Sequence, residues 1–422
     1  MVNFMFNKEE TGLKKILSNI FSLGMLQVVN YILPIIVIPF LVSTIGLENV
    51  GILATVSAVI SYFQICIDYG FSLTATRAIA KANNDTNQKN LITSSVILIK
   101  LTLATLLFMF FLVIIETFNS FKGLGFLFIL AYVTAIVNSL FPQWHFQGIE
   151  KMHFITITNT IPKVLTTLVL FLLVRDKSDV ILVQWCYLIG ALITLLWAYG
   201  ILKTKESFSL RFSVESYKEQ LSYGKNIFFA RLFSTLYKNS NILIIGLFVS
   251  PTLVGVYTIA ERIVRSCQTM QNVIGDSIYP KVAAGSNLSF KYLNFNNKKY
   301  IAYITGFYAF SSLAFLLFSD IIAKILVKND WADISHQLKI MSCVFFFGGL
   351  NYFFGILGLV ARGYNFYFSG SVLITGIANI FLCFYLTSQF SISGASISMV
   401  LSEVILLLMI IFFLKKVKEP IR

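Results

Sequence analysis

Residues 91–115 read LITSSVILIKLTLATLLFMFFLVII, an apolar run that is interrupted by a single charge, Lys100. An α-helix needs about twenty apolar residues to cross the hydrocarbon core of a bilayer. Similar runs recur along all 422 residues, of which 57% are hydrophobic and only 12% are charged. Soluble domains carry about a quarter charged residues, so this chain has too little polar surface to face water. The sequence therefore predicts an all-α polytopic membrane protein, because closed β-barrels show alternating segments of about ten residues instead.

The apolar runs predict about twelve transmembrane helices that are joined by short connections. Their approximate limits are 16–41, 47–69, 91–115, 124–147, 153–174, 180–202, 222–249, 252–280, 300–327, 337–361, 366–388 and 393–414. The longest polar stretches, 203–221 and 281–299, follow the sixth and the eighth of these helices.

The distribution of Lys and Arg predicts the orientation in the membrane. With the N-terminus inside, the cytoplasmic loops and termini hold 21 of the 33 Lys and Arg residues, and the opposite loops hold 6. Cytoplasmic loops carry such an excess of positive charge, so we expect both termini in the cytoplasm. The net charge of +14 does not indicate a nucleic-acid partner, because these residues lie between apolar runs, where orientation and lipid headgroups explain them.

A weak internal repeat predicts two halves. The triplet at 19–21 recurs at 226–228, and the Val-Gly pair at 50–51 recurs at 254–255. Each half then holds six helices, and an even number makes both halves enter from the same side. We expect an N-terminal six-helix bundle at 1–205 and a C-terminal one at 206–422, related by a pseudo-two-fold axis along the membrane normal. Chance matches in an apolar chain are the alternative explanation.

Ionisable residues inside the predicted helices indicate a functional cavity. Each charge at the membrane centre costs roughly 2.5–3.5 kcal/mol, so these residues must be paired, reach the headgroups or face water. The cations within the helices are Lys100, Lys163, Arg231, Lys238, Arg262 and Arg265, and the acids are Asp68, Glu261, Asp276 and Glu403.

Four of the predicted helices, two from each half, carry a stripe of polar side chains at helical spacing. The further cavity-facing candidates on the stripes are Gln27, Asn30, Ser61, Gln64, Gln268 and Asn272. The cations outnumber the acids, which predicts an anionic substrate such as a phosphate or pyrophosphate. The six cations are the candidates for binding it, and the four acids are candidates for coupling to an ion.

Several of these residues have simpler interpretations that stay open. Glu261 could pair with Arg262 or Arg265 purely to hold helices together. Lys100 and Lys163 could reach the headgroups. Asp68 by itself is better interpreted as a solvated helix end, and Glu403 as a protonated carboxyl that is hydrogen bonded among Ser396, Ser398 and Ser402.

No motif of an enzyme, a nucleotide-binding loop or a metal site is found, so we expect no catalytic residue, metal or cofactor. The five cysteines lie inside apolar runs without CxxC spacing and are interpreted as packing residues. Without a nucleotide-binding loop, transport has to use an ion gradient or a substrate gradient.

The chain resembles Wzx-type flippases, which belong to the polysaccharide-transport branch of the multidrug/oligosaccharidyl-lipid/polysaccharide exporter superfamily. The resemblance is strongest over roughly residues 1–160 and rests on short motifs there. These motifs are Asn30-Tyr31-Ile32-Leu33-Pro34, Pro39, Gly46, Val50-Gly51, Asp68-Tyr69-Gly70-Phe71, Thr76-Arg77 and Gln143-Trp144-His145-Phe146-Gln147-Gly148-Ile149-Glu150-Lys151-Met152.

The resemblance implies an alternating-access carrier in the bacterial inner membrane. Its substrate would be an undecaprenyl-pyrophosphate-linked oligosaccharide, an O-antigen or related repeat unit, moved from the cytoplasmic to the periplasmic leaflet. It also implies a basic central cavity, coupling to H⁺ or Na⁺, membrane lipid as a partner, and cooperation with polysaccharide polymerase and chain-length proteins.

Three rival functions stay open. One is a peptidoglycan-precursor lipid flippase, which usually carries two more transmembrane helices than are counted here. An ion-coupled multidrug or other small-molecule antiporter of the same superfamily is expected to have an acid-rich cavity, whereas this one is base-rich. A membrane O-antigen polymerase or ligase needs large periplasmic loops with catalytic Arg or His, and the outer loops here are short.

Overall fold

The structure is a computed structural model that describes residues 2–83, 85–117, 123–283, 298–327 and 331–416. Within these ranges the regular structure is entirely helical, which confirms the predicted all-α class. Side chains are not described for parts of the first, eighth, ninth and tenth helices.

Seven α-helices of the described part of the chain precede residue 206. They are α1 (Val2–Asp68), α2 (Phe71–Lys81), α3 (Thr86–Thr117), α4 (Gly125–Leu140), α5 (Gln143–Gly148), α6 (Met152–Leu173) and α7 (Val180–Lys205). A 3₁₀ turn at Lys177–Asp179 leads into α7.

Six α-helices follow among the residues that the structure describes after 206. They are α8 (Val214–Phe248), α9 (Pro251–Ala283), α10 (Lys298–Leu326), α11 (Trp331–Met341), α12 (Cys343–Asn351) and α13 (Asn365–Lys416). Between α12 and α13 the chain forms a π-helix at Tyr352–Leu359 and a 3₁₀ turn at Val360–Arg362.

Two of the helices contain a break in the backbone. In α1 the break is at Gly46, with φ 82° and ψ 165°, a region that is open to glycine because it lacks a Cβ. In α13 it is at Phe390 and Ser391, where Ser391 has φ 55° and ψ −142°. Both breaks fall in gaps between predicted helices, so the first two and last two predicted helices are each continued through a kink.

Eight helical segments among the described residues are long and apolar enough to cross a membrane. Many of their large apolar side chains are exposed, for example Leu172 at 67%, Leu196 at 70% and Ile325 at 75%. Exposed apolar surface on this scale is not tolerated in water, so these faces contact lipid. The chain is therefore a multi-pass membrane protein.

The chain divides into two compact units. One comprises Met1–Phe40 and Val59–Leu232, and the other comprises Leu41–Ala58 and Phe233–Arg422. These limits differ from the ranges 1–205 and 206–422 predicted from the sequence.

Close backbone packing explains both differences. In the first unit, Gly224 of α8 lies against Tyr69, and Gly70 lies against Ile227 of the same helix. Residues 206–232 therefore join the first unit. In the second unit, Gly51 lies directly against the backbone of Pro251 and Gly255, which attaches residues 41–58 to α9.

Candidate functional site

A buried carboxylate, Glu403 of α13, lies at the centre of a polar network in the second unit. Its Oε2 accepts a hydrogen bond from Asn351 Nδ2 at 2.7 Å, and the same nitrogen donates to the Glu403 backbone oxygen at 2.9 Å. Glu403 is 8% exposed and Asn351 is 5% exposed. An acid at membrane depth is expensive unless its oxygens are bonded, and Asn351 provides that compensation.

The ninth helix brings a second acid and a cation towards Glu403. Arg265 forms an ion pair with Glu261, one turn earlier on α9, with 2.8 Å from Nη2 to Oε1. Gln268, the next residue of this stripe, is hydrogen bonded to the Glu403 carboxyl. Of the two partners that were considered for Glu261, Arg262 and Arg265, it is Arg265 that forms the ion pair. Four residues are about one helical turn, which places the two side chains on one face of α9.

A second chain of hydrogen bonds leads away from Ser402, the neighbour of Glu403. Ser402 donates to Asn379 Oδ1 at 2.7 Å, Asn379 donates to Asn241 Oδ1 at 2.8 Å, and Asn241 donates to the Tyr257 hydroxyl at 3.0 Å. All four residues are buried. The network thus connects α8, α9, α12 and α13 through neutral groups around two acids.

Asn351 is the last residue of α12, and the π-helix begins directly after it. π-Helical turns within helices occur frequently at functional sites. The small Gly348, one turn before Asn351, leaves the space that the Gln268 amide occupies. The irregular backbone and this glycine allow α9 and α13 side chains to meet at Asn351.

The first unit contains a buried cation. Lys100 of α3 is 3% exposed. Its Nζ lies 2.8 Å from Asp68 Oδ1, 2.5 Å from the backbone oxygen of Ser139 and 4.2 Å from the centre of the Trp144 ring. The ammonium is therefore neutralised, hydrogen bonded and stacked against an aromatic face.

The expectation that Asp68 is a solvated helix end is wrong. Asp68 is the last residue of α1, but the turn through Tyr69 (φ 44°) and Gly70 (φ 82°) directs the chain straight into α2. Tyr69 is stacked on Phe228, with ring centres 5.2 Å apart. The carboxylate consequently lies beside α3, where it meets Lys100.

The expected serine environment of Glu403 is also wrong. Ser396 donates to Gln337 Oε1 and Ser398 to the backbone oxygen of Ala395, while Ser402 serves Asn379. These three hydroxyls donate to other acceptors, on α13 and on α11. The Glu403 carboxyl is instead hydrogen bonded by the amides of Asn351 and Gln268.

The other predicted site residues are distributed as follows. Lys163 donates to Asn30 Oδ1 at 2.6 Å, which joins α6 to α1. Arg231, Ser61 and Gln64 are half-buried, and Arg262 is exposed. The side chains of Gln27, Lys238, Asn272 and Asp276 lie outside the described residues.

Sequence reasoning missed Asn351, Asn379 and Tyr257. These three residues are neutral hydrogen-bonding groups inside apolar runs, and none of them lies on one of the predicted polar stripes. A search for isolated amides in the predicted helices finds both asparagines. Among the described residues no three His, Cys, Asp or Glu side chains form a metal-binding group.

Comparison with solved structures identifies the class of fold. The chain superposes on a lipid II flippase in an inward closed conformation with a TM-score of 0.70 and 15% identity, covering 94% of this chain and 87% of the flippase. It superposes on an inward-facing multidrug resistance MATE family transporter of the MOP superfamily with a TM-score of 0.64 and 13% identity, covering 92% and 100%. At these identities the likeness establishes the fold, which is that of MOP-superfamily transporters.

Comparison of sequences identifies the family. The family model described as "Polysaccharide biosynthesis protein" matches residues 16–285, and the chain belongs to this family. It is 27% identical over 405 residues to a protein of Escherichia coli (strain K12) that is provisionally named an O-antigen transporter, covering 95% of this chain and 97% of the relative.

A second relative, from Shigella dysenteriae, carries the same provisional name. It is 23% identical over 401 residues, which is 95% of this chain and 99% of that protein. The resemblance predicted from the sequence is thereby confirmed, and the names of these relatives agree with the expectation of a transporter and not an enzyme.

Proposed function

We propose that this protein is a flippase for lipid-linked polysaccharide repeat units. Its substrate is an undecaprenyl-pyrophosphate-linked oligosaccharide, an O-antigen or related unit, which it moves from the cytoplasmic to the periplasmic leaflet by alternating access. The support is the family, the names of two relatives that match along 95% of the chain, and the fold shared with a lipid II flippase.

The proposal includes twelve transmembrane helices in the inner membrane, with both termini in the cytoplasm. Eight candidate segments are found. Dividing two of them at Gly46 and Ser391 adds two, and the long but more polar α8 and α9 complete the twelve. Two six-helix bundles at 1–205 and 206–422, related by a pseudo-two-fold axis, remain our proposal for the arrangement. The distribution of Lys and Arg supports the orientation.

The observation that carries the mechanism is the buried carboxylate of Glu403. It is held by the amides of Asn351 and Gln268, and a second buried acid, Glu261, lies on the same stripe of α9 as Gln268. Glu403 is our first candidate for coupling to H⁺ or Na⁺, because a carboxylate that is bonded only by neutral groups changes its interactions most when it is protonated or binds a cation. Asp68 is a weaker candidate, since Lys100 already neutralises it.

Binding of the pyrophosphate is proposed for the cations predicted from the sequence. Arg231, Arg262 and Lys163 are available for this role without breaking an ion pair with a described acid, and Lys238 is included from its place on the polar stripe. Lys100 and Arg265 are held by Asp68 and Glu261. They can act on the substrate only by exchanging those acids for a phosphate.

The test is complementation of a bacterium that lacks its own O-unit flippase. The wild type is expected to restore surface glycan, and Glu403→Gln, which keeps the shape but cannot ionise, is expected to lower it at least about ten-fold if coupling is lost. Glu116→Gln is the matched control, because Glu116 is exposed near the end of α3.

The outcomes separate the two parts of the proposal. If Glu403→Gln restores glycan as well as the wild type, the flippase assignment stands and the coupling role of Glu403 is wrong. If the wild type restores nothing with several glycans, and the purified protein moves cationic dyes instead, the chain is an antiporter. The two buried acids of the second unit are the observation that favours this second function.

Transport by purified protein in vesicles identifies the ion. A pH gradient and a sodium gradient are imposed in separate experiments. We expect only one of the two gradients to drive uptake, and we expect that response to disappear in Glu403→Gln. Added polymerase and chain-length proteins, the proposed partners, should increase glycan chain length without being required for this uptake.

A further inference from the structure

The segment between α7 and α8, residues 206–213, has no regular structure and is bonded along α3. We call it the strap. Asn90 Nδ2 donates to the Ser207 backbone oxygen at 3.3 Å and to Ser209 Oγ at 3.1 Å. Ser94 Oγ accepts from the Arg211 backbone nitrogen at 3.0 Å. The strap is therefore fixed to the protein and is not a loose connection.

Both ends of the strap are fastened as well. At its start, Glu206 forms an ion pair with Lys151, with 2.5 Å between the charged atoms, and Phe208 packs against the cytoplasmic end of α7. After its end, Ser216 accepts a hydrogen bond from Ser95 at 2.9 Å. These contacts fix one face of the strap to the rest of the first unit.

The opposite face is apolar and uncovered. Leu210 is 74% exposed, Phe212 is 65% exposed and Val214, the first residue of α8, is 55% exposed. Leu210, Phe212 and Val214 therefore form a short run of exposed apolar side chains at every second position, which we call the outward row. A row of large apolar side chains is unfavourable in water.

The position along α3 places this row at the membrane surface. α3 has 32 residues and is therefore about 48 Å long, whereas the hydrocarbon core is about 30 Å thick. Gln88 is exposed and Lys89 is half-buried in its first turn, and the exposed apolar residues begin at Leu101. The boundary between water and lipid lies between these points, where Asn90, Ser94 and Ser95 hold the strap.

Exposed cations surround the outward row. Lys203 and Lys205 end α7, Arg211 lies between Leu210 and Phe212, and Lys218 is in the first turns of α8. The exposed acids nearby are Glu215 and Glu219, and Glu206 is neutralised by Lys151. Cations next to apolar side chains at headgroup level match anionic phospholipids.

We propose that the strap lies in the headgroup layer, with Leu210, Phe212 and Val214 inserted beside anionic phospholipids that are held by the surrounding cations. The segment that joins α7 to α8 is then anchored by the lipid as well as by α3. This inference depends on the transmembrane arrangement and not on the identity of the transported substrate.

The test measures the depth of position 212 in the full chain. A small fluorescent amino acid is introduced by stop-codon suppression at Phe212, at Gln88 as the reference in water, or at Leu106 as the reference in the hydrocarbon core. All three positions are exposed, so the fold should tolerate the probe. Each protein is placed in phosphatidylcholine vesicles with or without phosphatidylglycerol.

We expect headgroup-labelled lipid to quench the probe at 212 more strongly than chain-end-labelled lipid, with the reverse order at 106 and quenching by aqueous iodide at 88. A probe at 212 that behaves like the one at 88 places the strap in water and overturns the proposal. A probe that neither lipid nor iodide reaches is covered by protein, which also overturns it.

The charge requirement has its own measurement. Phosphatidylglycerol that stays bound to the purified protein is counted by native mass spectrometry for the wild type, Lys203→Gln and Lys205→Gln. Affinity should fall about five-fold for each cation removed, with Lys416→Gln at the far end of the chain as the control. Equal retention of phosphatidylglycerol and phosphatidylcholine by the wild type would contradict the choice of an anionic lipid. None of these readings involves the glycan, so their failure leaves the proposed function standing.

Discussion

The ion pair of Lys100 and Asp68 provides the sharpest prediction at the scale of single residues. Asp68→Asn leaves the buried ammonium of Lys100 without its counter-charge. Removal of one partner of a buried pair costs about 3 kcal/mol or more. We expect a lower midpoint of thermal unfolding in detergent, and substantial recovery in the double variant Asp68→Asn with Lys100→Met, which removes both charges.

A second ion pair of this chain serves as the control. Lys339 and Asp320 lie 2.8 Å apart, but each side chain is 44% exposed. Exposed pairs contribute only about 0–1 kcal/mol, so Lys339→Met should change the midpoint little. If Asp68→Asn and Lys339→Met lower the unfolding midpoint equally, the burial of Lys100 does not explain the strength of its ion pair.

The sequence indicated which charged residues within the helices need a partner, but it did not identify most of the partners. The rule that a charge in the membrane must be compensated correctly marked Lys100, Glu261 and Glu403 as unusual. The pair of Glu261 and Arg265 is local and could be read from helical spacing. The partners of Lys100 and Glu403 come from positions 32 and 52 residues away, and a sequence pattern contains no information about such distant contacts.

At the scale of helices, the contact of α1 with α9 depends on two glycines. A Cβ on Gly255 would collide with the backbone oxygen of Leu47, and one on Gly51 with that of Pro251. Backbone atoms cannot move aside as a flexible side chain can. We therefore expect Gly255→Ala to destabilise the protein by about 1–3 kcal/mol through overpacking, measured as a lower unfolding midpoint.

Gly200 of α7 is the matched control for that substitution, because no atom lies within 4 Å of where its Cβ would be. Alanine is the better helix former by up to about 1 kcal/mol. Gly200→Ala should therefore leave the midpoint unchanged or raise it. A fall of similar size for both variants would mean that the close crossing of α1 and α9 is not the cause of the destabilisation in Gly255→Ala.

The limits of the helices were largely predictable, since apolar length and turn residues fix them locally. Most predicted limits agree with the structure to within a few residues, including the gaps at Gly46 and at Ser391. The largest error is the start of α1, which was placed at 16 and lies at Val2. The next largest is the start of α8, which was placed at 222 and lies at Val214. Its first turns contain Glu215, Lys218 and Glu219 and so have no apolar run to reveal them.

At the scale of the whole molecule, the proposed topology makes a simple prediction. Green fluorescent protein, which folds in the cytoplasm, should fluoresce when it is fused after Arg422 or after Lys205. A periplasmic alkaline phosphatase should be active after Val174, between α6 and α7. Activity in the opposite pattern would require a different number of transmembrane helices.

The overall architecture was predictable in class, and the division into six-helix bundles at 1–205 and 206–422 stays a prediction. Composition and apolar length indicate a multi-pass helical protein because the bilayer imposes those requirements on any sequence. The two compact units depend on which helices approach closely, for example Gly51 on Gly255. The Val-Gly repeat marked these two residues, but nothing in the sequence shows that they touch.

The π-helix at Tyr352–Leu359 has a consequence for comparing sequences of this family. A wide turn of this kind accommodates one residue more than an α-helix does, and each residue in an α-helix corresponds to a rotation of about 100°. A relative with an uninterrupted α-helix here would be one residue shorter. If an alignment places the gap on the wrong side of Asn351, it aligns Asn351, whose amide binds Glu403, with a residue that lies on another face of the helix. In the structures of relatives, the counterpart of Asn351 should therefore be identified by its distance from the carboxylate of the last helix. Its position in a sequence alignment is not sufficient.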